Sequence, residues 1–138
     1  MIKIYVDGSV KNQQGPAGIG LIWLEDGQQD QLAFPLTKEL DNHQAEFAAL
    51  VIALELLAKK EKFAEWIQIF TDSKTVYQAV QKNYTRQASY RPWLDQVVRK
   101  LADFDNLYIN WIPEKQNRGA DNMARQGLHM ALDKLKRQ

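Results

Sequence analysis

Four acidic residues occupy positions where folding alone seldom places a carboxylate. Asp7 ends an alternating apolar segment that begins at Ile2, and Asp72 ends another that begins at Trp66. If these segments are neighbouring parallel strands, both carboxylates emerge at one sheet edge, which is where open α/β sheets place their sites. Glu46 and Asp121 each head the apolar stripe of a helical segment. A carboxylate there is costly unless it is paired, hydrogen-bonded or bound to metal.

Metal binding is the chemistry that such a group of carboxylates supports. Close carboxylates raise one another's pKa, and hard divalent cations prefer oxygen ligands. Each residue also has a structural alternative. Asp7 fits a turn before Gly8, and Asp72 fits a helix N-cap. Glu46 and Asp121 fit first-turn acids, which the helix dipole stabilises by ~0.3–1 kcal/mol each. The convergence of four independent signals on one place favours the metal site.

Strands and helices must position these residues. Alternation and turn signals predict five strands, with a hairpin at Asp26-Gly27 joining the second to the third and a bend over Gly15–Gly20 leading into the second. Helical spacing predicts four helices, the first capped by Asp41 or Asn42. The implied order is βββαβααβα, a mixed sheet with helices packed on it. The strands are predicted at 2–7, 18–25, 30–36, 66–71 and 107–112, and the helices at about 42–60, 73–82, 92–104 and from 118 onward.

Composition narrows the class of protein. The 138 residues suit one domain over 1–138. No cysteine is present, which excludes disulfide scaffolds and thiol nucleophiles, and two histidines argue against a His-rich metal site. The first residues are too polar for a signal peptide, and no run reaches the length of a membrane span. We therefore expect a cytoplasmic protein with no membrane partner. Trp66 and Trp111 are expected in the sheet core, and Trp93 beneath a loop.

Charge is divided unevenly along the chain. Residues 1–58 hold 3 Lys/Arg against 8 Asp/Glu, whereas residues 59–138 hold 15 against 9. A basic second half suits a polyanionic partner, and an acidic first half suits cations. A solvated surface of mixed charge remains an equal alternative on charge alone.

Four short motifs, in order, resemble the ribonuclease H type 1 family, in the archaeal-like and reverse-transcriptase-like branch. They span nearly the whole chain and are Tyr5-Val6-Asp7-Gly8-Ser9, Asn42-His43-Gln44-Ala45-Glu46, Phe70-Thr71-Asp72-Ser73-Lys74 and Asn117-Arg118-Gly119-Ala120-Asp121-Asn122-Met123-Ala124. The resemblance implies an α/β fold with a five-stranded mixed sheet in the order 3-2-1-4-5, flanked by helices.

The resemblance also implies an activity. An Asp-Glu-Asp-Asp quartet, here Asp7, Glu46, Asp72 and Asp121, would be both catalytic and metal-binding. The implied reaction is endonucleolytic hydrolysis of the RNA strand of RNA–DNA hybrids by two Mg²⁺ ions, with Mn²⁺ as a substitute. The products would carry 5′-phosphate and 3′-hydroxyl ends. No obligate protein partner is implied.

By position, the family's contacts to the hybrid fall on the Gly8 backbone, Asn42, Lys74 and Asn117. Asn117 fits a helix N-cap equally well. Hybrid recognition through shape and 2′-hydroxyls, with phosphates meeting Lys and Arg, would make affinity dependent on salt.

The chain departs from many family members in two places. The loop before the last helix, residues 112–117, holds no histidine, so Glu114, Lys115 or nothing takes that role. Residues 83–91 are too short for a basic handle helix, although Arg86, Arg91 and nearby aromatics suit a reduced basic surface. His43 fits a surface residue better than a substrate contact. These departures keep two other hypotheses open: a nucleic-acid-binding protein with weak or no cleavage, and a related nuclease acting on double-stranded RNA or structured DNA.

Overall fold

One five-stranded mixed sheet organises the protein. The computed structural model describes all 138 residues, and the sheet order is β3-β2-β1-β4-β5, which confirms the order 3-2-1-4-5. β1 pairs antiparallel with β2, and β2 with β3, whereas β4 and β5 run parallel to β1. The strands are β1 (Ile2–Val10), β2 (Gln14–Glu25), β3 (Gln28–Asp41), β4 (Trp66–Thr71) and β5 (Asn106–Trp111).

Four helices cover the two faces of this sheet. α1, α2 and α3 share the main core with the inward residues of β1 and β4, such as Ile4 and Ile69. α4 packs on the opposite face, against β2 and β3. The helices are α1 (Asn42–Lys59), α2 (Lys74–Lys82), α3 (Arg91–Leu101) and α4 (Arg118–Lys136), with short 3-10 turns at Ala88–Tyr90 and Glu114–Gln116.

The turns that join these elements follow from local chemistry. Asp26 and Gly27 form the predicted hairpin with φ values of 52° and 76°, the left-handed region that such tight turns require. Of the two candidate caps for α1, the structure selects Asp41. Its carboxylate accepts from the Gln44 N–H, and the Gln44 side chain accepts from the Asp41 N–H, which is a capping box.

The strands extend further than the sequence predicts. β2 begins at Gln14, and the expected bend over Gly15–Gly20 is strand with a register shift between Gly15 and Ala17. β3 continues to Asp41. Backbone pairing with a neighbouring strand overrides the turn-forming composition of this stretch. The extension carries the chain directly into the cap of α1.

Glycines in β2 let α4 lie directly on the strand backbone. A Cβ on Gly18 would meet the Leu128 nitrogen at 2.0 Å, and one on Gly20 would meet the Ala120 oxygen at 2.1 Å. Real Cβ contacts are never this short, so only glycine fits. The close approach fixes the height of α4 above the sheet, and with it the position of the first turn that carries Asp121.

Two tryptophans do not lie where the sequence predicts. Trp66 is 56% exposed and Trp111 is 37% exposed, so the expectation that both are core residues is wrong. Alternation along β4 places Trp66 on the face opposite α1, where no helix covers it. Trp93, expected beneath a loop, is half-buried near the start of α3 and packs against the main core.

The segment 83–91 contains no handle helix. Its 3-10 turn instead buries Tyr90, whose hydroxyl donates to the second carboxylate oxygen of Asp41 at 2.9 Å. Burial and this bond raise the pKa of Tyr90 to about 12. Tyr84, Arg86 and Arg91 remain exposed. None of the helices combines the length and hydropathy that crossing a lipid bilayer requires.

The glycine contact gives a first prediction. Gly18→Ala should lower the free energy of unfolding by about 3 kcal/mol, because the helix or the strand must move to admit the methyl group. Urea denaturation followed by circular dichroism measures the change. Gly119→Ala is the matched control. Its Cβ would meet only the Ile22 side chain, at 3.1 Å, so its effect should stay within about 1 kcal/mol. Equal stability of Gly18→Ala and the wild type would contradict this account of α4 packing.

Candidate active site

Three carboxylates meet at the edge where the parallel pairing of β1 with β4 ends. β1 and β4 pair in parallel with Tyr5 opposite Phe70, which brings Asp7 level with Asp72. Glu46 reaches the same point from α1. One carboxylate oxygen from each of the three lies within 4.8 Å of the others. Three of the four predicted acidic residues therefore come together.

Gly8 allows this meeting by letting α1 approach β1. A Cβ at Gly8 would lie 2.6 Å from the carbonyl carbon and oxygen of Ala45, the residue before Glu46. The absence of that side chain sets Glu46 against the strand. The Gly8 N–H also donates to Asp7 Oδ1 at 2.9 Å, which orients the carboxylate.

The site is poorly solvated, and this raises the pKa of each carboxyl group. Burial raises the pKa of Asp7 to about 8, and the charges of Asp72, Asp121 and Glu46 add to the rise. Burial likewise raises the pKa of Glu46, against the opposing effects of Ser73 and His43. For Asp72, burial raises the pKa while a hydrogen bond from Asn117 opposes it. No lysine or arginine forms an ion pair with any of the three.

Asn117 connects the site to the last helix. It is 1% exposed, and its amide nitrogen donates to the Val6 carbonyl at 2.9 Å and to Asp72 Oδ2 at 3.1 Å. It stands at the N-cap position of α4, but its side chain makes no capping bond. The amide therefore links the Asp72 side chain to the backbone of β1, a role that neither the capping nor the substrate-contact interpretation anticipates. Direct contact of Asn117 with substrate stays a prediction.

Asp121 lies at the rim and differs from the other three acids. Its Oδ2 accepts from Arg125 at 3.1 Å, one helical turn along α4, and it is not part of the group within 4.8 Å. It is near enough that its charge contributes to the raised pKa of Asp7. The fourth predicted ligand thus faces the site while it is engaged with an arginine.

The other predicted contacts lie around the same edge. Asn42 is exposed in the first turn of α1, and Lys74 is exposed in the first turn of α2. The Lys74 ammonium lies 4.9 Å from the centre of the Trp111 ring. Gly8 is half-buried against α1. Their binding roles stay predictions.

Sequence reasoning missed the part that Trp111 plays here. Its indole N–H donates to the Asp72 carbonyl oxygen at 3.1 Å, so it fixes the backbone from which the carboxylate projects. The place of Trp111 at the end of β5, level with Thr71, is the signal that would have found it. His43 lies with Nδ1 3.5 Å from Glu46 Oε2, and its side chain is 42% exposed, so it borders the site while remaining at the surface. Glu114 lines the same cleft as Asp72.

Comparison with known proteins shows which protein family the chain matches. Residues 5–127 match the family model described as reverse transcriptase-like. A protein of Enterococcus faecalis named "Putative hydrolase EbsB" is 38% identical over 93% of this chain and 94% of its own length. A protein of Desulforamulus reducens named ribonuclease H is 25% identical over 80% of this chain and 74% of its own length.

A solved ribonuclease H structure is similar to this chain over nearly its whole length. LC11-RNase H1, isolated from compost by a metagenomic approach, superposes in its complex with an RNA/DNA hybrid with a TM-score of 0.84. It is 25% identical, and the alignment covers 96% of this chain and 99% of that one.

The raised pKa of Asp7 gives a second prediction, for the metal-free protein. The pKa of Asp7 in the folded state is about 8, above the ordinary 3.8. Protonated Asp7 therefore makes its full contribution to the free energy of unfolding below about pH 4, and this contribution is lost as the pH rises towards 8. Asp7→Asn removes this charge and should raise the free energy of unfolding at pH 8 by about 2–4 kcal/mol. Denaturation in EDTA at several pH values measures it.

Asp95→Asn, on the exposed side of α3, is the matched control and should follow the wild type. An Asp7→Asn curve parallel to the wild type at every pH would mean that the Asp7 charge is not buried at a cost.

Proposed function

The chain belongs to the ribonuclease H family, and we propose that it hydrolyses the RNA strand of RNA–DNA hybrids endonucleolytically, leaving 5′-phosphate and 3′-hydroxyl ends. One observation carries the proposal: the oxygens of Asp7, Glu46 and Asp72 lie within 4.8 Å of one another at an open sheet edge. Grouping these carboxylates is unfavourable for stability. The proposed function, which follows from family membership, accounts for why they are grouped.

The donor set fits divalent cations. All donors are carboxylate oxygens, the ligands that Mg²⁺ and Mn²⁺ prefer. Glu46 Oε2 is buried and makes no hydrogen bond, with His43 Nδ1 at 3.5 Å as its long contact, and such an oxygen is costly unless a ligand satisfies it. We propose that Asp7, Glu46, Asp72 and Asp121 hold two Mg²⁺ ions when substrate is bound, with Mn²⁺ as a substitute. When bound, the ions supply an activated water and a positive charge at the leaving 3′-oxygen.

The protein's own residues hold and orient these groups. The Gly8 N–H fixes one oxygen of Asp7, and Asn117 and Trp111 fix the side chain and backbone of Asp72. Such pre-organisation means that little rearrangement is needed when the scissile phosphate arrives. Asp72 keeps one carboxylate oxygen free of Asn117 for a ligand.

Contacts to the hybrid are proposed around this edge. Lys74, at the start of α2, offers a cation beside helix N–H groups that attract phosphate. Asn42 offers an exposed amide for 2′-hydroxyls in the minor groove. The Gly8 backbone lies at the same edge, beside Asp7 and Ala45. Lys74, Asn42 and the Gly8 backbone would together bind the hybrid around the carboxylates.

A second candidate function is hybrid binding with weak cleavage. Two observations favour it: Asp121 is paired with Arg125, and the 112–117 loop offers Glu114 and Lys115 but no histidine. Glu114 raises the pKa of Asp72 through its charge, after the larger effect of burial. An added negative charge there strengthens cation binding but supplies no proton donor at neutral pH.

The Asp121–Arg125 pair gives a third prediction. Arg125→Ala should lower the Mg²⁺ concentration for half-saturation about two- to threefold, because an exposed pair of this kind is worth under about 1 kcal/mol. Isothermal titration with Mg²⁺ measures the affinity. Arg99→Ala, on the exposed face of α3, is the matched control and should leave affinity unchanged. Weaker binding in Arg125→Ala would contradict the account in which Arg125 competes with the cation for Asp121.

The fourth prediction tests the activity itself. RNA–DNA hybrid, double-stranded RNA and double-stranded DNA of one sequence are incubated with Mg²⁺, Mn²⁺ or EDTA. We expect metal-dependent cleavage of the hybrid's RNA strand alone, and its loss in Asp7→Asn but not in Asp95→Asn. Phosphatase-dependent end labelling checks the 5′-phosphate.

Three other outcomes are informative. Salt-sensitive hybrid binding without cleavage in either metal would select the binding function. Cleavage of double-stranded RNA or DNA in preference to the hybrid would redirect the substrate class. Cleavage that survives Asp7→Asn unchanged would overturn the site assignment.

A further inference from the structure

The face of the sheet that carries α4 is only half covered. α4 packs on β1, β2 and β3, and no helix packs on β4 and β5 from that side. The outward residues of these two strands are aromatic or carboxamide side chains. Trp66 and Tyr108 are 56% and 51% exposed. Large aromatic surface left in water on a regular sheet is typical of a binding face.

The aromatic rings on this face are already arranged in two stacks. Tyr5 and Phe70 lie 4.7 Å apart with an interplanar angle of 18°, and Trp66 and Tyr108 lie 6.1 Å apart at 20°. Between the stacks, Asn110 donates to Gln68 at 3.4 Å. The name aromatic platform is used below for this surface, which comprises Tyr5, Trp66, Gln68, Phe70, Tyr108 and Asn110.

A cavity of about 370 Å³ adjoins the platform between Tyr5 and α4. None of its twelve lining residues is charged. Its floor is apolar, with Ile22, Leu24 and Met123. Its rim carries carboxamides from three parts of the chain, namely Gln29, Gln31, Gln116, Asn122 and Gln126. We call it the carboxamide cavity.

These two features share a chemistry that suits nucleobases. A base offers flat faces that stack on aromatic rings and edges that pair with carboxamide donors and acceptors. It carries no charge, in keeping with a cavity that has none. A docking surface for a peptide helix would instead present aliphatic side chains, and the outward residues of this face on β4 and β5 include none.

We propose that the platform and the carboxamide cavity bind unpaired bases of a single-stranded RNA tail on the hybrid. This inference rests on the proposed function, since it extends that substrate to hybrids with overhangs. In this proposal the single-stranded tail lies on the open sheet face, and the duplex lies at the carboxylates.

The platform is continuous with the candidate active site. Tyr5 stands two residues before Asp7 on β1, and Phe70 two residues before Asp72. Asn117, which bonds Asp72, also lines the carboxamide cavity. From Asp7 to the level of Trp66 the strands run about 20 Å, enough for a few nucleotides. Glu65 and Asp105 precede β4 and β5, so phosphate repulsion ends the path there.

Binding of tailed hybrids tests the proposal. In an Asp7→Asn background, which prevents cleavage, fluorescence anisotropy compares a short blunt hybrid with the same hybrid carrying an RNA tail of about five nucleotides at either end. We expect the tail to tighten binding about tenfold, the scale of one or two stacked bases. Trp66→Ala with Tyr108→Ala, or Gln31→Ala with Asn122→Ala, should remove that gain and leave blunt-hybrid binding unchanged.

Leu135→Ala is the control, because Leu135 is 37% exposed but lies near the C-terminal end of α4, away from the platform. It should keep the full gain from the tail. No gain in the parent, or a gain that persists in both double variants, would overturn the proposal. An oligomer that dissociates in Trp66→Ala/Tyr108→Ala, seen by sedimentation, would assign the face to a second copy of the chain instead.

Failure of the proposed function is distinguishable. If the wild type cleaves no hybrid, the proposed function fails, and binding of the free RNA tail oligonucleotide then tests the face alone. Tail binding that is lost in the platform variant would uphold the face. Absence of tail binding would overturn it.

Discussion

Holding three carboxylates together in a poorly solvated site is the constraint on which the rest of the structure depends. Desolvation and mutual repulsion both oppose it, as the pKa of about 8 at Asp7 records. The fold holds the acids together because each lies on or next to a different rigid element: Asp7 on β1, Asp72 directly after β4 and Glu46 on α1. The energy that offsets the repulsion comes from the apolar core shared by these elements, and a bound cation would relieve what remains.

Small residues decide how closely those elements approach. Gly8 brings α1 against β1, and Gly18 and Gly20 bring α4 against β2. Both contacts join backbone to backbone, so they set positions more firmly than flexible side chains do. These contacts set the positions of Glu46 and Asp121, because each acid lies in the early turns of a helix that packs on a strand glycine. The conformational cost of glycine in a strand is thus offset by accurate placement of the acids.

The sequence alone predicts the fold and the acidic group well, and its failures have physical causes. Alternating apolar residues mark β1 and β4, and an acid at the end of each gives the site edge. Asp121 was predicted as an equal member, but its pairing with Arg125 one turn on depends on rotamers that spacing does not specify. Trp66 and Trp111 were misplaced because hydrophobicity does not tell which sheet face a helix covers. Spacing predicts a capping or substrate-contact role for Asn117 and does not reveal its bonds to Val6 and Asp72, because these partners are distant in sequence.

That distance has a consequence for biogenesis. The hydrogen bond from Asn117 to Val6 joins residues 111 positions apart, so its two partners are made far apart in time. The first three strands pair through local hairpins and can form while the ribosome is still translating. The bonds that tie Asp72 to the first strand cannot form until Asn117 has emerged from the ribosome. A nascent chain can therefore pair β1, β2 and β3 early, whereas its acidic centre is ordered only after residue 117 has been made.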